Sequence, residues 1–161
     1  MTKKFNFILL PPDSFHQSFN DLLFKSRKNF NEVEQMIQKL CEADNKKLLI
    51  KYKHLWQKKS HPCLTDKFKC KGNILNYCDT NTNVIGPISS ALIETLVCDI
   101  VYYPYDFSEA HKYNQMLHNR IDDVFYVAHT PSDIINNINN NKTFRPGKSK
   151  KDLFSPNALS L

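Results

Sequence analysis

The chain has 161 residues, with 22 basic against 16 acidic groups and a formal net charge of +6. That length suits one domain, and 11 Phe and 7 Tyr beside many Leu, Ile and Val are enough for a core. Only 3 glycines argue against glycine-rich phosphate loops and against an all-β protein with many tight turns, and no apolar run reaches the ~18 residues of a membrane span.

In chain order, Phe5 to Leu10 reads as a short strand stopped by Pro11-Pro12. Asp13 or Ser14 then looks like a helix N-cap, with Gln17 completing a capping box. Phe15, Phe19, Leu22 and Leu23 share one helical face. Asn31 with Glu34 repeats the start signal, and Val33, Met36, Ile37, Leu40 and Cys41 form a second amphipathic stripe. Residues 48–56 fit two patterns: Leu48, Leu49, Tyr52, Leu55 and Trp56 at helical spacing, or Leu48, Ile50, Tyr52 and Trp56 on one side of a strand. From Asp66 to Cys78 the pattern is clearer. Phe68, Cys70, Gly72 and Ile74 alternate with Lys67, Lys69, Lys71 and Asn73, the period of a strand whose outer face carries three lysines. A polar turn at 78–83 leads to a second strand at Val84-Ile85. Leu92 to Tyr103 favours a buried strand, with a helix starting near Ser90 as the competing reading, and Pro104 ends it. Asp106 and Glu109 open a third helix through Ala110, Tyr113, Leu117 and Ile121. Val124 to Ala128 reads as a strand, and Thr130-Pro131 opens a short helix carrying Ile134, Ile135 and Ile138. After Lys142 periodicity vanishes. The expected architecture is α+β: a single domain over residues 1–141, with amphipathic helices on a small antiparallel sheet or OB-like barrel, and an extended basic tail over 142–161, where Phe144, Phe154 and Leu159 are docking points.

Charge is distributed unevenly along the chain. Residues 1–45 balance, 46–71 carry nine lysines against Asp66 for +8, 72–141 sum to −6, and 142–161 return to +4. The basic stretch interleaves Lys46, Lys47, Lys51, Lys53, Lys67, Lys69 and Lys71 with Tyr52, Trp56 and Phe68. Lysines pair with phosphates and aromatic rings stack on bases, so these residues form the candidate surface for a single-stranded nucleic acid. The alternative for the lysines is an ordinary solvated face, and for Trp56 a place in the core.

Other constellations are weaker. His61, Cys63, Cys70 and Cys78 are zinc-donor types, but they lack the close Cys-x-x-Cys pair that organises structural zinc sites. His111 and His118 are too far apart for a helical i, i+4 metal pair. Cys98 lies in the most apolar run, away from the electropositive setting that a nucleophilic thiol needs. Asp122-Asp123 diverge on a strand or loop and make a poor magnesium site. No nucleophile–base, phosphate-loop or metal pattern marks an enzyme, and no cofactor or metal is expected.

The run Lys67-Phe68-Lys69-Cys70-Lys71-Gly72-Asn73-Ile74-Leu75-Asn76-Tyr77, followed by a polar turn, resembles the opening strand of an oligonucleotide-binding (OB) fold, which bends near a glycine. The resemblance covers about a fifth of the chain and transfers no binding residues. It implies a small barrel flanked by helices, in an accessory subunit of a complex that binds single strands. The expectation is therefore a non-catalytic subunit of a nucleic-acid-handling complex, working with other protein subunits and without a membrane. The alternatives are a pure protein-interaction scaffold and a small structural-zinc protein. The absence of a signal-like apolar segment and the odd, unpaired cysteines point to an intracellular setting, and the nucleic-acid reading places it in the nucleus ahead of the cytoplasm.

Overall fold

The computed structural model describes residues 4–12, 20–107 and 115–154. Its strands are short apolar runs, not alternating ones. β1 (Phe7–Leu9) and β2 (Leu48–Lys51) are buried at every position, while β4 (Asn83–Pro87) and β5 (Val101–Tyr105) are buried at all but end positions. β3 (Phe68–Lys69) is a two-residue edge strand. Strands buried on both faces belong to parallel sheets sandwiched between helices. The five strands accordingly pair in parallel throughout, in the order β3-β2-β1-β4-β5. A parallel bridge from Tyr105 to Ala128 adds one residue at a sixth position beyond β5.

This overturns the expected α+β architecture with an antiparallel sheet or OB-like barrel. The fold is α/β, and the alternation from Lys67 to Ile74 is not a long strand. Only Phe68 and Lys69 pair with β2. Gly72 then turns the chain at φ +85°, a left-handed conformation that glycine adopts freely. Asn73 caps a 3₁₀ turn (Ile74–Tyr77) by accepting from the Leu75 N–H.

Helices cover both faces: α1 (Asn20–Asp44), α2 (Leu55–Ser60), α3 (Ser90–Val97), α4 (Gln115–Val124), α5 (Pro131–Asn139) and α6 (Lys151–Phe154). Successive strand residues face opposite sides, so the sheet feeds two cores. Phe7, Leu9, Leu48, Ile50, Ile85, Tyr103 and Tyr105 pack with Phe30, Val33 and Ile37 of α1 and Ile134 and Ile138 of α5. Ile8, Leu49, Val84 and Tyr102 pack with Leu92 and Leu96 of α3, Ile121 and Val124 of α4, and Leu153 of α6. No helix among the described residues is long and apolar enough to cross a membrane.

Local signals are spent in unexpected ways. Asn31 and Glu34, spaced like a helix start, lie inside one continuous α1 and reach across to the loop before β3. Asn31 Nδ2 donates to the Pro62 carbonyl at 3.0 Å, and the buried Glu34 carboxylate accepts the Leu64 and Thr65 N–H groups at 2.9 Å each. Of the competing readings of 48–56 the strand holds at Leu48–Lys51, with Leu48, Ile50 and Tyr52 in one core, while of the helical set only Leu55 and Trp56 lie in a helix, α2. Ser90 does begin a helix, α3, and the β-branched run after it becomes β5, which contains Pro104. Thr130 caps α5 by accepting from the Asp133 N–H, with Pro131 in the first turn.

The segment expected as an extended tail packs on the body as far as Phe154. Phe144 stacks on Phe125 with centroids 4.7 Å apart. Arg145 pairs with Asp122 at 3.1 Å, Lys150 pairs with Asp99, and Leu153 is buried. The expected helix start at Asp13 or Ser14 with Gln17, the residues Phe15 and Phe19, and Glu109, His111 and Leu159 lie outside the described residues.

Gly86 holds the centre of the sheet to β5. A Cβ there would stand 2.3 Å from Tyr102 Oη and 2.8 Å from Leu10 Cδ1, and that hydroxyl donates to the Pro87 carbonyl at 2.5 Å. Gly86→Ala is expected to destabilise the fold by about 1–3 kcal/mol through overpacking, read as a lowered urea midpoint. Adding Tyr102→Phe should recover part of the loss, because it removes the closest clashing atom.

Candidate functional site at the carboxyl edge of the sheet

The strand order reverses at β1, which pairs with β2 on one side and β4 on the other. The chain leaves β1 toward α1 on one face and leaves β4 toward α3 on the opposite face. In doubly wound sheets this divergence opens a crevice beyond the carboxyl ends of the strands, which helices cannot fill. A cleft of about 170 Å³ lies there, walled by Leu10 and Pro11 after β1, Lys51 at the end of β2 and Lys53 after it, the Gly72–Ile74 turn, and Pro87 at the end of β4 with Ser89, Ser90, Ala91 and Glu94 beyond it. One water needs ~10–15 Å³, and pockets that enclose a whole drug-sized ligand begin near ~300 Å³. The cleft is therefore sized for one end of a ligand.

Its wall is rich in donors. Lys51 is 5% exposed, and its ammonium donates to the Tyr52 carbonyl at 2.5 Å, with no carboxylate in contact among the described residues. Burial lowers its pKa, an effect partly opposed by the nearby Cys70. Gln57 is also buried, and its Oε1 accepts the Lys53 N–H at 2.6 Å. Across the crevice, Ser89 is the N-cap of α3, yet its hydroxyl makes no cap bond. Ser90 and Ala91 line the cleft as well, so the first turn of α3 brings backbone N–H groups and the positive end of its dipole there. Among the described residues of the wall the one acid is Glu94, which is exposed on α3. Pro11 and Pro12 occupy the turn after β1, so α3, not a glycine loop after β1, is the element able to cradle an anion. Tyr105 steadies the mouth by donating its hydroxyl to the Leu10 carbonyl at 2.6 Å.

Comparison with protein-family models, with curated proteins and with solved structures gave no match.

The candidate nucleic-acid residues do not form one surface. Lys46 and Lys47 precede β2 at the amino edge of the sheet, whereas Lys51 and Lys53 follow at the carboxyl edge, about 13 Å along a four-residue strand at ~3.3 Å per residue. Lys51 and Tyr52 are buried, and the Tyr52 hydroxyl donates to the His61 carbonyl at 2.7 Å, so neither faces a polymer. Phe68 is half-buried, with the Lys58 ammonium 3.9 Å from its ring centroid. Lys53, Lys67, Lys69 and Lys71 are exposed, and Trp56 is 42% exposed and stacked on His54. The sequence reading missed Gln57, Ser89, Ser90 and Glu94. The signal available for them is a serine pair at a strand–helix junction, Gly86-Pro87-Ile88-Ser89-Ser90.

Among the described residues no group of three or more could hold a metal ion. His61, Cys63, Cys70 and Cys78 do not converge: Cys78 belongs to the core beneath α3, and Cys63 and Cys70 pack against the core beneath α1. His61 is a packed core residue. It bonds Ser26 at 2.8 Å and Ser60 at 3.1 Å and meets the Phe30 ring edge-on. Burial, with Arg27 adding repulsion, pushes its pKa down to about 4. In the unfolded chain a histidine titrates near ~6.5, so the unfolded state gains a proton first as pH falls. His61 thus contributes stability that is full above that pH and is lost progressively down to about 4, a total of about 3 kcal/mol. Urea midpoints should fall between pH 6.5 and 5 in the wild type, and the slope should flatten in His61→Gln.

Proposed function

We propose that this chain is a binding domain for a phosphate-bearing small molecule, held by its anionic end in the crevice between β1 and β4. One observation carries the reading: the carboxyl edge of the sheet gathers a buried ammonium (Lys51), an amide (Gln57) and the N-terminus of α3, whose Ser89 hydroxyl makes no cap bond, around one cleft. Helix N-termini favour anions through free N–H groups and the dipole, and a bound dianion would give the Lys51 ammonium the counter-charge it lacks. Doubly wound sheets hold nucleotides at this crevice in many proteins, and that fold-level analogy makes nucleotides the first ligands to try.

Calorimetric titration with inorganic pyrophosphate, then with nucleoside mono- and diphosphates, tests the proposal. Saturable binding is expected, weakened about tenfold or more in Lys51→Met, the loss of a charge-assisted hydrogen bond. Lys46→Met at the opposite edge should leave it unchanged. Absence of binding by every phosphate compound would dismiss the reading.

A second reading keeps a polyanion as the partner, on a reduced surface. Lys67, Lys69 and Lys71 lie exposed along the edge strand β3 and its exit, and Trp56 offers a partly exposed ring. Lysines on an edge strand also block edge-to-edge pairing, which competes with a binding role. Fluorescence anisotropy with labelled oligo(dT) at low salt separates the two. A contact surface predicts a large loss on reversing all three lysines to glutamate and a steep dependence on salt. Edge protection predicts neither.

A further inference from the structure

Resting on the crevice reading above, we infer that Gln57 is a ligand-reading residue whose side-chain amide donates to an acceptor oxygen of the bound anion. The geometry of its two ends carries this. Its Oε1 is fixed by the Lys53 N–H at 2.6 Å and faces the His54 N–H at 3.4 Å. Both are donors, which settles which end of the amide is oxygen. The other end is therefore Nε2, with two N–H donors, and no protein acceptor meets it among the described residues. The residue is only 3% exposed and lines the cleft, so these donors have no wide access to solvent. Nε2 is not sealed off without a partner; solvent meets it through the cleft, and an anion there takes the place of that water.

The backbone of the same residue is already committed to the fold. Its carbonyl accepts the His61 N–H at 2.7 Å and the Ser60 hydroxyl at 3.0 Å. These bonds and the Oε1 bond pin α2 in place, so the amide is presented on a fixed element. A fixed donor-only group selects an acceptor and rejects a ligand that offers a donor or a cation at this point.

The isosteric change Gln57→Glu separates this role from a structural one. Glutamate keeps an oxygen for the Lys53 N–H and replaces Nε2 with a second, negative oxygen. The thermal midpoint should hold while pyrophosphate affinity falls by tenfold or more, about the factor for a hydrogen bond to a charged group. A second measurement needs no variant: in wild-type protein, the Gln57 side-chain NH₂ resonances should shift during a pyrophosphate titration. If wild type binds pyrophosphate but these resonances stay fixed and Gln57→Glu binds equally well, the inference is overturned and the crevice reading stands. If wild type does not bind, both fall.

Discussion

The molecule depends on the two-sided pairing of β1. Three residues, Phe7 to Leu9, accept β2 on one edge and β4 on the other, and their side chains feed both cores in turn. Among the described residues no other strand pairing joins the two halves of the sheet. Because the pairing is parallel, every connection must cross a face to return to the amino edge, and the two halves use opposite faces. The crevice follows from that divergence, with no special residue needed to open it. Sequence decides only what lines it. Here Pro11 and Pro12 close the β1 exit to a glycine loop, and Gly86 lets β4 and Tyr102 approach closely enough to bring Ser89 to the rim.

Burying Lys51 is costly to the fold. An ammonium out of water needs compensation, and a single carbonyl is a weak partner. Burial answers in part by lowering its pKa, which makes the neutral form easier to reach. Elsewhere buried polar groups are served far better. Glu34 receives two backbone N–H groups, and His61 has a hydroxyl at each ring nitrogen. On the crevice reading proposed above, Lys51 and Gln57 differ from these in that both line one cleft.

Much of the secondary structure was legible and its assembly was not. The β1 strand and the Thr130-Pro131 cap are written in local chemistry; over Leu92 to Tyr103 the favoured strand gives way to the competing helix from Ser90 to Val97, and only Val101–Tyr105 is strand. The sheet was misread because the Lys67–Ile74 alternation outweighed the uninterrupted runs Phe7-Ile8-Leu9 and Leu48-Leu49-Ile50, and only the latter carry the mark of parallel strands. The scarcity of glycine argues against glycine-rich phosphate loops and an all-β chain with many tight turns, and the fold is indeed not all-β. The chain turns instead on Asn45, Asp99 and Asn141, which end α1, α3 and α5 at φ 55°, 58° and 51°. Asparagine and aspartate tolerate that left-handed region, so glycine is kept for Gly72, Gly86 and Gly147.

The site was harder to see because linear charge density and spatial charge density are different quantities. Lys46 and Lys51 are five residues apart in a run that reads as one basic block. A strand of four residues puts them at opposite edges of the sheet, and the pleat and cover of β2 bury the second while leaving the first in water. A solvated lysine is screened and replaceable. A desolvated one beside a helix N-terminus acts through a low dielectric, where one charge outweighs several on the surface. The eight positive charges in excess over residues 46–71 therefore do not sum to a single binding surface. On the crevice reading proposed above, the weight falls on the one lysine of the block that the fold withdraws from solvent, and burial is the property that a charge count along the chain cannot express.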